Sequence, residues 1–104
     1  MVTYVDAATA PLKNTGAIRL YGAEAFEGLR RAGRFAAECL DAVAPLARPG
    51  VTTQEIDDFV HDFAIKGGAL PATLNYRGYT KTICTSINHV VCHGIPDDRP
   101  LKDG

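Results

Sequence analysis

From Ala23 onward apolar residues return every three or four positions. Phe26, Leu29, Gly33, Ala36, Leu40 and Val43 share one face of a helix that the spacing predicts over residues 23–44. Pro45 ends it, because proline has no amide to donate and its ring clashes with the preceding turn. Gly33 lies on the apolar stripe, where close packing against a neighbour would justify a residue costing about 1 kcal/mol relative to alanine. A second helix is announced by its own start and stop signals. Thr52-Thr53-Gln54-Glu55 is a capping box, Ile56, Phe59, Val60 and Phe63 form the stripe that follows, and Gly67-Gly68 closes it.

The flanks follow different rules. Residues 1–22 have no sustained period and are punctuated by Pro11, Asn14 and Gly16, which predicts an extended arm with a short strand at Ala17–Leu20. After Pro71 the chain turns to β-branched runs, Thr82–Ile87 and Val90–His93, with Asn88-His89 suited to a two-residue turn. The simplest register sets Ile87 opposite Val90 and Cys84 opposite His93. Thr82, Cys84, Ser86, Val91 and His93 then share a mostly polar face. The expectation is α+β: two helices followed by an antiparallel β-hairpin.

Composition narrows this picture. The 104 residues suffice for one small domain, and 46% apolar with 22% charged residues is ordinary globular usage, so disorder is not expected. A net charge of −1 gives no electrostatic reason for nucleic acid or anionic membrane as a partner. Arg30, Arg31 and Arg34 are flanked by Glu24, Glu27, Glu38 and Asp41, as on a solvated helix face. Three cysteines make a poor disulfide framework, the first residues lack a signal-peptide pattern, and no apolar run approaches about 18 residues. The expected location is cytoplasmic.

Cys84, His89, Cys92 and His93 invite a zinc reading, but adjacent strand residues point to opposite faces and the paired spacings of zinc sites are missing. Haem attachment needs a cysteine where His89 stands. A Cys84–His93 nucleophilic pair lacks an evident means of lowering the thiol pKa and an oxyanion site. His93, before the Gly94-Ile95-Pro96 exit turn, fits a structural or a functional role. Tyr76 and Tyr79, around Gly78, fit core anchoring and pocket lining equally. Composition and spacing alone lead no further than a soluble α+β chain.

The run Thr85-Ser86-Ile87-Asn88-His89-Val90-Val91-Cys92-His93-Gly94-Ile95-Pro96 resembles the first signature segment of type I methionine aminopeptidases. Arg31-Ala32-Gly33-Arg34, Pro49-Gly50-Val51-Thr52-Thr53 and Tyr76-Arg77-Gly78-Tyr79 precede it in the family's order and spacing. The resemblance covers Tyr21 to Gly104 and implies the N-terminal half of a pita-bread fold with an incomplete sheet. Residues 1–22 would be an N-terminal extension, and residues 23–104 the N-terminal part of the catalytic domain. It implies metal-dependent removal of the initiator methionine from nascent polypeptides, by a monomeric enzyme that could also contact the ribosome. Two divalent ions (Co, Mn, Fe or Zn) would hold the attacking water. His93 matches the histidine that hydrogen-bonds substrate near the scissile peptide, and Tyr76, Tyr79 and Cys84 match positions lining the methionine side-chain pocket. Arg77 stands where many members have histidine, and Thr73 where several have cysteine. The family's five metal ligands are expected beyond Gly104, so residues 1–104 alone are expected to be inactive. The alternative is a non-catalytic pita-bread relative that binds peptide or ribosome.

Overall fold

The computed structural model describes residues 1–104. Two compact units divide it, Met1–Ala36 and Ala37–Gly104.

In the first unit β1 (Tyr4–Asp6) and β2 (Ile18–Leu20) pair in parallel, Tyr4 with Ile18 and Asp6 with Leu20. A parallel pair needs a crossover between its strands, and residues 7–17 provide one. Asp6 opens it: its carboxylate accepts from the Ala8 amide and its carbonyl from that of Ala10, both at 2.9 Å. The Arg19 guanidinium holds the crossover down, donating to the Pro11 and Ala7 carbonyls at 2.6 and 3.1 Å. The strand expected near Ala17–Leu20 is therefore present, with a partner, β1, that the local pattern did not announce.

Helix α1 (Ala23–Val43) begins with the Phe26 amide donating to the Gly22 carbonyl at 3.1 Å. It passes into a single 3₁₀ turn at Ala44–Leu46 that contains Pro45. Alanines favour the helical state, and the exposed Glu27–Arg30 pair at 3.6 Å adds little in water. The apolar stripe is left outward: Phe26, Leu29 and Leu40 are 49%, 66% and 71% exposed. The half-buried side chains Phe35, Cys39, Ala42 and Val43 lie on a neighbouring face. No atom lies within 4 Å of where a Gly33 Cβ would stand, so close packing does not account for that glycine.

Helix α2 (Thr53–Lys66) in the second unit carries the most buried residues. Its capping box is complete: the Glu55 amide donates to Thr52 Oγ1 at 3.1 Å, and the Thr52 amide to the Glu55 carboxylate at 2.7 Å. Its end is a Schellman turn, with Gly68 at φ +76°, its amide donating to the Ile65 carbonyl, and the Ala69 amide donating to Ala64. Ile56 and Ala64 are buried on one side, and the Phe59 and Phe63 rings lie 6.1 Å apart. Thr53, Asp57 and Thr82 are buried with them, so hydrogen bonds organise this core as much as apolar packing does.

The antiparallel hairpin expected over residues 82–93 does not form as two strands. Its turn closes, the Val90 amide donating to the Ile87 carbonyl at 3.1 Å with Asn88 at φ +53°. The next backbone bond, however, joins the Thr85 amide to the Gly94 carbonyl at 2.7 Å, where an even ladder would set Thr85 opposite Cys92. The return arm thus holds two extra residues, and His93 absorbs the misfit at φ +54°. The Gly94 amide donates to the Ser86 hydroxyl at 3.1 Å instead of to a ladder carbonyl. The only sheet is the parallel β1–β2 pair.

The last residues return to α2. The Leu101 amide donates to the Val51 carbonyl at 2.8 Å and the Gly50 amide to Leu101 at 2.9 Å, making a short antiparallel pairing beside the helix cap. Thr53 reinforces it, its hydroxyl accepting from the Asp97 amide at 2.8 Å and donating to the Asp97 carbonyl at 3.2 Å.

Candidate functional site

The segment carrying Cys84 is fixed from two sides. On one side Asp57, 5% exposed on α2, accepts the Thr82 and Ile83 amides at 2.8 and 2.9 Å, both on Oδ1. On the other, Thr73 donates its hydroxyl to the Thr82 carbonyl, and Tyr79 donates its phenol to the Ile83 carbonyl at 2.7 Å. The Cys84 thiol then donates to the Tyr79 oxygen at 3.7 Å. Tyr79 and Cys84, two of the positions that the resemblance assigns to a pocket lining, therefore lie in hydrogen-bond contact.

Tyr79 is aimed by the tight loop before it. The Tyr76 amide bonds Thr73, the Tyr79 amide bonds Tyr76, and the Asn75 amide bonds Tyr79, at 3.0, 3.0 and 2.7 Å. Three residues of this loop, Asn75, Arg77 and Gly78, have positive φ; for the arginine that is a strained torsion, of the sort that persists where surrounding bonds overdetermine it. The phenol of Tyr79 is pushed up to about 12, first by desolvation, then by the Cys84 sulfur, and least by the Asp57 carboxylate. It stays a hydrogen-bond donor throughout the neutral range.

The Tyr76 backbone carbonyl accepts from the Tyr79 amide, but the Tyr76 side chain makes no hydrogen bond to the pair. Tyr76 is 62% exposed, with the Arg77 guanidinium 5.4 Å from its ring centroid. His93 is exposed and makes no hydrogen bond, held at its strained φ by the turn into Gly94. The cation–π contact gives Arg77 a use at a position where the resemblance leads one to expect histidine.

Sequence reasoning overlooked Asp57. The signal was available: Thr53, Asp57, Val60 and Ala64 recur at helical spacing, so a carboxylate stood within an otherwise inward-facing row. Asp57 and Thr82 are themselves part of the wall of a cleft of about 360 Å³, with Gln54, Asp58, His61, Leu74, Thr80 and Lys81. Its charges are internally matched, Gln54 donating to Asp58 at 2.8 Å and accepting from Lys81.

Metal donors do not converge. Nowhere do three histidine, cysteine, aspartate or glutamate side chains gather to hold an ion. Asp97 is already committed to Arg99, whose Nε and Nη2 lie 2.8 and 2.7 Å from Oδ2, and this holds its carboxyl below the usual range. Residues 1–104 therefore do not by themselves fit a metal centre. No helix is long and apolar enough to cross a membrane.

Comparison with known proteins places this geometry. The model of metallopeptidase family M24 matches residues 27–104. The chain belongs to metallopeptidase family M24. Methionine aminopeptidase from Rickettsia prowazekii is 51% identical over 87 residues, which are 84% of this chain and 34% of that protein. The Arabidopsis thaliana relative named methionine aminopeptidase 1D, chloroplastic/mitochondrial, is 46% identical over 101 residues, 97% of this chain and 29% of its own. The crystal structure of the Rickettsia prowazekii enzyme superposes with a TM-score of 0.77 at 52% identity, over 80% of this chain and 34% of that one. The M24 chain thus spans between about a fifth and a third of the length of the curated relatives it matches. The family is one of metallopeptidases, so the missing convergence of donors applies to these residues and not to the family's chemistry.

Proposed function

We propose that this M24 chain belongs to a methionine aminopeptidase that removes the initiator methionine from nascent polypeptides, and that residues 23–104 form a substrate-binding wall. Residues 1–22 are read as an extension to that catalytic part. Tyr79 and Cys84 line the methionine side-chain pocket with Tyr76 at its rim, and His93 hydrogen-bonds the substrate beside the scissile peptide. The hydrolytic chemistry belongs to divalent ions whose donors lie outside residues 1–104, so this chain's share is binding and orientation. The observation carrying the reading is the Tyr79–Cys84 pair, an aromatic ring and a polarisable sulfur 3.7 Å from the ring's oxygen. Such a wall suits a thioether side chain, which makes favourable contacts with aromatic rings and is itself polarisable. His93 adds an imidazole with both nitrogens free of protein partners.

A chimera tests this. The matched 87-residue segment replaces its counterpart in the Rickettsia prowazekii relative, and methionine release from a Met-Ala-Ser peptide is measured. The chimera should be active, and His93→Ala should lower kcat/KM about a hundredfold, as expected for loss of a hydrogen bond strengthened in the transition state. A folded, metal-loaded chimera that releases no methionine would favour a non-catalytic peptide-binding role instead.

A further inference from the structure

We propose that Asp57 is a positioning residue for the pocket wall: its Oδ1 fixes Thr82 and Ile83 so that the Ile83 carbonyl holds the Tyr79 hydroxyl beside Cys84. This deepens the functional reading above and rests on it for the identity of the pocket. Residues 82–84 lack the support that a sheet would give. They belong to no strand, so no neighbouring ladder satisfies their amides. Buried amides without acceptors are costly, and Thr82 is 5% exposed. A carboxylate on the inward face of α2 meets both, at 2.8 and 2.9 Å. The bonds are charge-assisted, which shortens and strengthens them.

Ile83 is the pivot. Its amide is bound by Asp57, and its carbonyl accepts the Tyr79 phenol at 2.7 Å. Tyr79 approaches from a loop whose backbone is fixed at Thr73, Asn75 and Tyr76. The phenol oxygen in turn accepts from Cys84 at 3.7 Å. Rotation of the 82–84 backbone would swing the Ile83 carbonyl away and separate ring from sulfur. The Asp57 carboxylate makes no hydrogen bond besides those to these two amides, so its side-chain bonds are dedicated to the segment. Its hydrogen bonds reach Tyr79 and Cys84 only through Ile83.

Both amides go to one oxygen, which makes the role separable from charge. Asparagine at 57 can present the same Oδ1 to the same two amides. Alanine removes the acceptor, and glutamate keeps the charge while displacing it by one methylene. The experiment uses the isotope-labelled 104-residue chain in solution NMR, reading amide exchange at Thr82 and Ile83 and the Overhauser contact between the Tyr79 ring and Cys84. The chain is then titrated with L-methionine, following the Tyr79 and Cys84 signals.

Asp57→Ala should lower protection at both amides roughly tenfold or more, abolish the ring–sulfur contact, and remove the methionine response. The Glu55 capping amide should stay protected, which separates repositioning from loss of the helix. Asp57→Asn should restore all three readouts. Should Asp57→Ala fail to fold, Asp57→Glu takes its place and must weaken the ring–sulfur contact. An unchanged contact in Asp57→Ala or Asp57→Glu, or an Asp57→Asn that behaves like alanine, overturns the proposal. If wild type responds to methionine and Asp57→Ala responds equally, positioning alone falls. If wild type keeps the contact and ignores methionine, the pocket reading fails and takes the proposal with it.

Discussion

A Cβ built at position 94 would stand 2.0 Å from the Thr85 carbonyl oxygen and 2.7 Å from its carbon. Those are backbone atoms, which cannot swing aside as a flexible side chain would. Glycine in the His93-Gly94-Ile95-Pro96 motif is thus required by close approach, and its contact secures the same Thr85–Gly94 bond that replaces the even ladder. Gly94→Ala should break this bond and destabilise the chain by about 1–3 kcal/mol, the usual range for forcing an extra carbon into a packed site. Gly33→Ala is the matched control, since no atom lies within 4 Å of its added carbon. It should stabilise α1 by up to about 1 kcal/mol. Urea midpoints for the two variants should move in opposite directions, and movement in the same direction would contradict this account.

The helices show how far the sequence could be read, element by element. Capping chemistry is local: Thr52 and Glu55 are three residues apart, and the hydrogen bonds they make are the ones the capping box names. Thr52→Ala should therefore cost about 1 kcal/mol, measurable as a lowered helix signal and urea midpoint. Ile56→Ala, in the buried row one turn further on, should cost about 2–4 kcal/mol. The Gly67-Gly68 stop was legible for the same reason, a positive φ at Gly68 within its own turn. What the pattern did not reveal is non-local. Nothing near Tyr4 announces a parallel partner fourteen residues ahead at Ile18, because crossover pairing depends on contacts such as Arg19 with Pro11 rather than on strand propensity. The hairpin failed at a finer level: β-branched runs and a suitable turn predicted two strands, but periodicity cannot count residues in an arm that bulges. The resemblance named Tyr79 and Cys84 as pocket positions without pairing them, and Asp57 stood unread in the row Thr53, Asp57, Val60 and Ala64 of α2.

For the whole molecule the decisive point is that the side chains able to grip an ion do not converge. Asp57 Oδ1 is occupied by two amides and Asp97 by Arg99. The three histidines, His61, His89 and His93, are not gathered with other donors. A divalent ion needs several oxygen or nitrogen ligands converging at about 2 Å, and scattered surface carboxylates offer only loose, screened attraction. Calorimetric titration of the purified chain with Mn²⁺ or Co²⁺ should accordingly show no saturable step at one or two equivalents. The same sample should release no methionine from a peptide even at millimolar metal. Thermal unfolding should be unaffected by metal too, because an ion binding equally weakly to folded and unfolded chains shifts nothing between them. A stoichiometric step accompanied by methionine release would mean that residues 1–104 assemble a catalytic centre in a conformation other than this one. The assignment of Tyr79, Cys84 and His93 to a binding wall would then have to give way to one that includes the chain's own carboxylates.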